Sequence, residues 1–115
     1  MKILIVLNGS PNDGTDVTWN ALRLAGQLSK DSTEVRIFLM NDAVDLARIG
    51  FPASDDFDLQ SMLKEVIASG AEAKLCKTCI DRCGIGEGKT IPEVKVATMP
   101  ELSRWVVDSD KVLTF

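Results

Sequence analysis

The chain contains no histidine. Its three cysteines therefore have no imidazole in the chain to share their chemistry. Basic charge is also in deficit: 13 Lys and Arg stand against 17 Asp and Glu, a net charge of −4. The fold as a whole has no electrostatic reason to bind nucleic acid or an anionic membrane surface, so neither is expected as a partner. No apolar run approaches the roughly 18–20 residues that a membrane span needs. Met1–Leu7 resembles the start of a signal peptide, but the run is too short. It breaks at Asn8-Gly9-Ser10-Pro11 with no cleavage-site pattern, and a cytoplasmic protein is expected. The P-loop lysine motif and G-x-G-x-x-G are missing, as are internal repeats.

What remains reads as one ordinary domain over residues 1–115, 45% apolar and 26% charged. Strand and helix signals alternate along it. Residues 2–7 are a β-branched and leucine run suited to a strand buried on both faces. A helix over about 16–29, capped by Asp13 or Thr15, is expected to bury Val17, Ala21, Leu24, Ala25 and Leu28. Gly26 marks a close approach of that helix to the sheet. Residues 34–40 are a second strand, after which Asn41 and Asp42 cap a short turn over 43–47. Residues 50–58 are an irregular connection with three aspartates, Asp55, Asp56 and Asp58. A helix over 59–69 carries Leu59, Met62, Leu63, Val66 and Ile67 at helical spacing. Short strands follow at 71–75 and 93–97, with a short helix at 78–82 and a flap or linker at 84–89 between them. Thr98 and Glu101 form a capping box opening a helix over 99–109 that buries Leu102, Trp105 and Val106. Residues 111–115 close as a fifth strand. Five strands alternating with helices imply a three-layer α/β/α domain with a mostly parallel five-stranded sheet. Trp19 and Trp105 are read as packing or interface residues.

Reactive groups in such folds sit at the carboxyl ends of the strands. Three stretches qualify: Asn8 to Pro11, Asn41-Asp42, and the segment that begins at Cys76. The last holds all three cysteines, Cys76, Cys79 and Cys83, among Lys74, Lys77 and Arg82. Cys76 stands where a strand hands over to a helix, whose free amides favour an anion, and Lys74 and Lys77 add positive charge. Both effects favour the thiolate and single out Cys76 as the nucleophile. Cys79 lies one helical turn on, a partner for disulfide or persulfide exchange. Cys83 lies about two turns from Cys76 and receives no role. Structural zinc needs four ligands, and after the Cys-x-x-Cys pair only Cys83 and Asp81 remain, so no metal or other cofactor is expected.

Val6-Leu7-Asn8-Gly9-Ser10, Phe38-Leu39-Met40-Asn41-Asp42-Ala43-Val44 and Cys76-Lys77-Thr78-Cys79-Ile80-Asp81-Arg82-Cys83-Gly84 together resemble the DsrE/DsrF-like family, which includes the TusD-type sulfur-relay subunits. The resemblance runs from the first strand to the last. It implies a sulfurtransferase-like protein that holds sulfane sulfur as a persulfide on the cysteine eight residues before the closing glycine. Counting back from Gly84 reaches Cys76. Cys79 then becomes a resolving thiol, and Asp42, at an acidic position of the second-strand motif, lines the pocket or serves as a helix cap. Asn8, Ser10 and Lys77 complete the candidate ligand-binding set, although for residues 8–14 a plain connecting loop is the favoured reading. The resemblance further implies sulfur donor and acceptor proteins as partners and a homo-oligomer, a trimer or hexamer. Relay subunits usually carry small or apolar residues at the position of Cys79 and a basic one at Cys83, so this chain sits nearer a stand-alone branch with a Cys-x-x-Cys pair. Two further readings stand beside it: an oligomeric small-ligand or partner-binding module whose thiols only line the cleft, and a dithiol–disulfide redox protein. The last lacks the thioredoxin context.

Overall fold

The computed structural model describes residues 1–53 and 57–115. The aspartates expected in a loop at Asp55 and Asp56 lie outside the described residues. The elements run β1 (Lys2–Leu7), α1 (Val17–Lys30), β2 (Glu34–Leu39), a 3-10 helix (Asn41–Ala47), α2 (Leu59–Ala68), β3 (Glu72–Cys76), α3 (Lys77–Arg82), β4 (Lys95–Ala97), α4 (Met99–Asp108) and β5 (Lys111–Thr114). The five strands form one sheet in the order β4-β3-β2-β1-β5, every neighbouring pair parallel. The expected α/β architecture is the one observed.

Alternation along the strands divides the core in two. Ile3, Ile5 and Leu7 of β1 face a large cluster with Ala21, Leu22 and Ala25 of α1 and Leu59, Leu63 and Val66 of α2. Leu4 and Val6 face a smaller one with Phe38, Cys76, Ala97 and, from α4, Leu102 and Trp105. Three layers result: two long helices on one face of the sheet, and α4 on the other.

Several local expectations require correction. The buried arc of α1 is Thr18, Ala21, Leu22 and Ala25, while Val17 and Leu24 are exposed. Two stripes at helical spacing overlap at Ala21 and Ala25, and the partner helix α2 selects the one carrying Thr18 and Leu22. The N-cap of α1 is Asp16, which makes no side-chain cap, while Thr15 Oγ1 accepts from the Val17 N–H at 3.4 Å as expected of a residue at this helix start. Asp13 instead accepts from the amide and hydroxyl of Thr15, holding its carboxyl below the usual carboxylate range. Gly26 faces Val66 of α2, not the sheet. The 3-10 helix takes no side-chain cap from Asn41 or Asp42; its N-cap is Met40. Val106 is exposed, one position off the buried face of α4. The N-terminus of α4 does carry the reciprocal bond of a capping box, Thr98 N–H donating to the Glu101 carboxylate at 2.7 Å. The segment after α3 is tied down beyond its glycines, with Ile49 N–H donating to Lys89 O at 2.8 Å and Ile91 N–H to Ala47 O at 2.8 Å. Trp19 stacks on Phe57, and Trp105 meets Phe38 edge-on.

Candidate thiol site at the sheet's carboxyl end

Strand β3 places Lys74 and Cys76 on the α4 face and Ala73 and Leu75 on the other. Cys76 is both the last residue of β3 and the N-cap of α3. Its extended backbone turns the chain into the helix, and its Sγ accepts from the Cys79 amide at 3.4 Å. The expected position at a strand-to-helix junction is therefore the observed one. The environment is less open than a nucleophile's usually is: Cys76 is 6% exposed, within the apolar cluster of Leu4, Val6, Phe38 and Leu102.

Cys79 is half-buried and adjoins Cys76 through its amide. Burial pushes the Cys79 thiol up from its ordinary value, and the contact with Cys76 acts the same way. Opposing both, the Asn41 amide donates to Cys79 Sγ at 3.2 Å. Asn41 reaches this position through a left-handed backbone, φ 51°, a conformation that Asn accepts more readily than most residues. Its side-chain amide donates to Asn8 Oδ1 at 3.0 Å, and the Asn8 amide donates to Phe115 O at 2.9 Å. Asn8 thus ties the ends of β1 and β5 to the wall of the thiol site.

An open recess of about 440 Å³ is lined by Asn41, Asp42, Cys79, Arg82 and Cys83. Cys83, the C-cap of α3, is exposed, and its amide donates to Cys79 O at 2.9 Å. The structure thus brings Asp42 and Cys79 together and sets Cys76 behind Cys79, outside the lining. Asn8 touches the wall through Asn41. Ser10 Oγ accepts from Asn12 N–H within its own turn. Lys77 is paired with Asp81 at 2.8 Å, which raises its ammonium pKa, and Lys74 Nζ lies over the Trp105 ring at 4.6 Å. Both lysines named as charge for the thiols are thus engaged with other partners. Sequence reasoning placed Asn41 at the carboxyl end of the second strand and Arg82 beside the thiols, but gave neither a role in the site. The signal for Arg82 was present in the spacing, since it follows Cys79 by three residues. No spacing announces the backbone amide of Asn41. Among the described residues no group of three or more Cys, Asp or Glu could hold a metal ion, and no helix is long and apolar enough to cross a membrane.

Comparison with known proteins places this geometry in context. The chain is 40% identical over 116 residues to protein YchN of Escherichia coli, with 99% of this chain and 98% of that protein covered. It is 34% identical over 113 residues to a protein of Methanopyrus kandleri, covering 98% and 93%. The crystal structure of E. coli YchN superposes with a TM-score of 0.91 over 100% of this chain and 99% of that one. A protein of Methanobacterium thermoautotrophicum shares the fold at a TM-score of 0.78 and 12% identity, covering 99% and 98%. The model of the DsrE/DsrF-like family matches residues 1–115, and the chain belongs to that family.

Proposed function

We propose that this protein is a sulfurtransferase-like carrier in a cytoplasmic sulfur relay, holding sulfane sulfur as a persulfide on Cys76 with Cys79 as the resolving thiol. The observation that carries the reading is the cysteine pair at the end of β3, where Cys76 is the N-cap of α3 and its Sγ accepts from the Cys79 amide. Membership of a family associated broadly with sulfur relay supports it. The Cys76 thiolate attacks the outer sulfur of a donor persulfide; the donor's S–S bond breaks, its thiolate leaves, and Cys76-S-SH forms. An acceptor thiolate then takes the outer sulfur by the same exchange, returning the Cys76 thiolate with no net oxidation. Where no acceptor is present, Cys79 attacks the inner sulfur, releasing hydrosulfide and leaving a Cys76–Cys79 disulfide. Asp42 borders the recess through which partners approach, and Asn8 positions its wall. Ser10 and Lys77 are bonded within their own turns and are not among the residues lining the recess.

Incubation with a persulfide donor should add the mass of one sulfur atom, mapped to Cys76 at the endpoint, and Cys76→Ser should lose that transferable load, keeping sulfur only on Cys79 or Cys83. An unmodified protein whose endpoint sulfur maps to Cys79 or Cys83 and not to Cys76 would sink the assignment.

The same proposal includes a homo-oligomer, a trimer or hexamer. Supporting it, Val107 is 83% exposed, and Met99, Val106, Val112 and Val96 are exposed with it on the thinly covered side of the molecule and its edges. Large exposed apolar side chains in such a group mark association surfaces. Sedimentation should report the assembly, and Val107→Asp should shift it toward monomer.

A further inference from the structure

Cys76, Cys79 and Cys83 occupy i, i+3 and i+7 positions along α3 and its caps, so successive thiols share one face of the helix. Exposure rises in steps along this face: Cys76 is buried, Cys79 half-buried and Cys83 exposed. The recess touches Cys79 and Cys83 but not Cys76. A donor entering from solvent therefore meets Cys83 first and Cys76 last.

We propose that Cys83 is the loading thiol of this site, and that sulfane sulfur moves from Cys83 through Cys79 to Cys76. The inference rests on the sulfur-carrier reading and assigns it a direction. Neighbours three or four apart on a helix have Cβ atoms about 5–6 Å apart. A persulfide lengthens the carrying arm by one S–S bond, about 2 Å, which lets its outer sulfur approach the next thiol. The donor class that fits is a small anionic polysulfide, because Arg82 on the wall of the recess has no ion pair among the described residues and can meet an anion there. Asp42 on the same wall limits the negative charge the recess accepts.

Each step balances. The Cys83 thiolate attacks a terminal sulfur of hydropolysulfide, whose S–S bond breaks and whose shortened chain leaves as an anion. In the second step the Cys79 thiol gives its proton to the departing Cys83 sulfur as the outer sulfur moves across, and the Asn41 amide stabilises negative charge on Cys79 during the exchange. The last step repeats the exchange between Cys79 and Cys76. One sulfur atom changes carrier, and no oxidant or reductant is consumed.

The test is quenched-flow loading of the full chain with inorganic polysulfide, followed by alkylation and peptide mapping of each cysteine. In the unmodified protein the label should appear on Cys83 before Cys76. Cys83→Ser, an exposed substitution whose fold is checked by circular dichroism, should load Cys76 to the same endpoint but about tenfold more slowly, because an intramolecular delivery is lost. Cys79→Ser should trap sulfur on Cys83. Loading of Cys76 at the unmodified rate in Cys83→Ser, or Cys76 labelled first, overturns the relay while leaving the carrier intact. Absence of sulfur from all three thiols of the unmodified protein overturns both.

Discussion

The two faces of the sheet differ in what they bury. On one, α1 and α2 cover β1, β2 and β3 with a continuous apolar cluster that includes Leu63 and Leu75, both wholly inaccessible. On the other, a single ten-residue helix covers Leu4, Val6 and Phe38, and the cluster ends at a thiol. Arg36 also lies on this side, buried, its guanidinium 2.6 Å from Asp108 and stacked 5.6 Å from the Trp105 ring. The first face holds the domain together; the second is thin enough for a thiol and a charged pair to share it. A small fold can carry chemistry on one side of its sheet when the other side supplies most of the packing.

Paired core truncations test this division. Leu63→Ala should cost about 3 kcal/mol of unfolding free energy in urea. Under native conditions it should leave the alkylation rate of Cys76 nearly unchanged. Leu102→Ala should cost less, about 2 kcal/mol, because its site lies nearer the surface and can relax. It should nevertheless speed Cys76 alkylation, since Leu102 packs in the same cluster. Equal alkylation rates in the two variants would break the comparison.

The charged pair on the thin face sets a third expectation. Asp108 is held below the usual aspartate range, first by its bond to Arg36 and then by Lys2. A depressed carboxylate contributes stability that is fully present above its unfolded pKa, about 3.9, and is lost as pH falls through the lower folded value. Asp108→Asn should therefore destabilise the protein at neutral pH and flatten its loss of stability below about pH 4. Thermal denaturation from pH 2 to 7 should show the two curves converging on the acid side, and parallel curves would remove Asp108 from this role. The smallest effect is expected at Cys79, whose alkylation should titrate above an ordinary thiol because burial and Cys76 outweigh the Asn41 amide. A midpoint below the ordinary value would reverse that balance.

Much of this fold was legible because strand signals at residues 2–7, 34–40 and 111–115 are continuous, and β-branched runs leave little freedom of interpretation. The capping box at Thr98 and Glu101 was equally plain, since two side chains at fixed spacing identify a helix start. Helix faces were harder. In α1 the stripes through Val17 and through Thr18 share both alanines, and only packing against Val66 and its neighbours on α2 decides between them. Of the thiol site, the sequence located Cys76 and Cys79 correctly on the fold, because a strand-to-helix junction is written in the local pattern. It offered no warning that Lys77 would turn to Asp81 or that Lys74 would lie over Trp105. Those are contacts of side-chain geometry across elements. The shared face of Cys76, Cys79 and Cys83 was present in the spacing, yet its meaning depends on the exposure of each thiol.

The left-handed backbone of Asn41 acts as a filter on sequence. At φ 51° a side chain other than glycine, asparagine or aspartate carries a steric cost of about 1–2 kcal/mol. Any chain that keeps an amide directed at the middle thiol through this turn should therefore carry one of those three residues here. Position 41 then serves as a marker for the thiol geometry that can be read without a single cysteine.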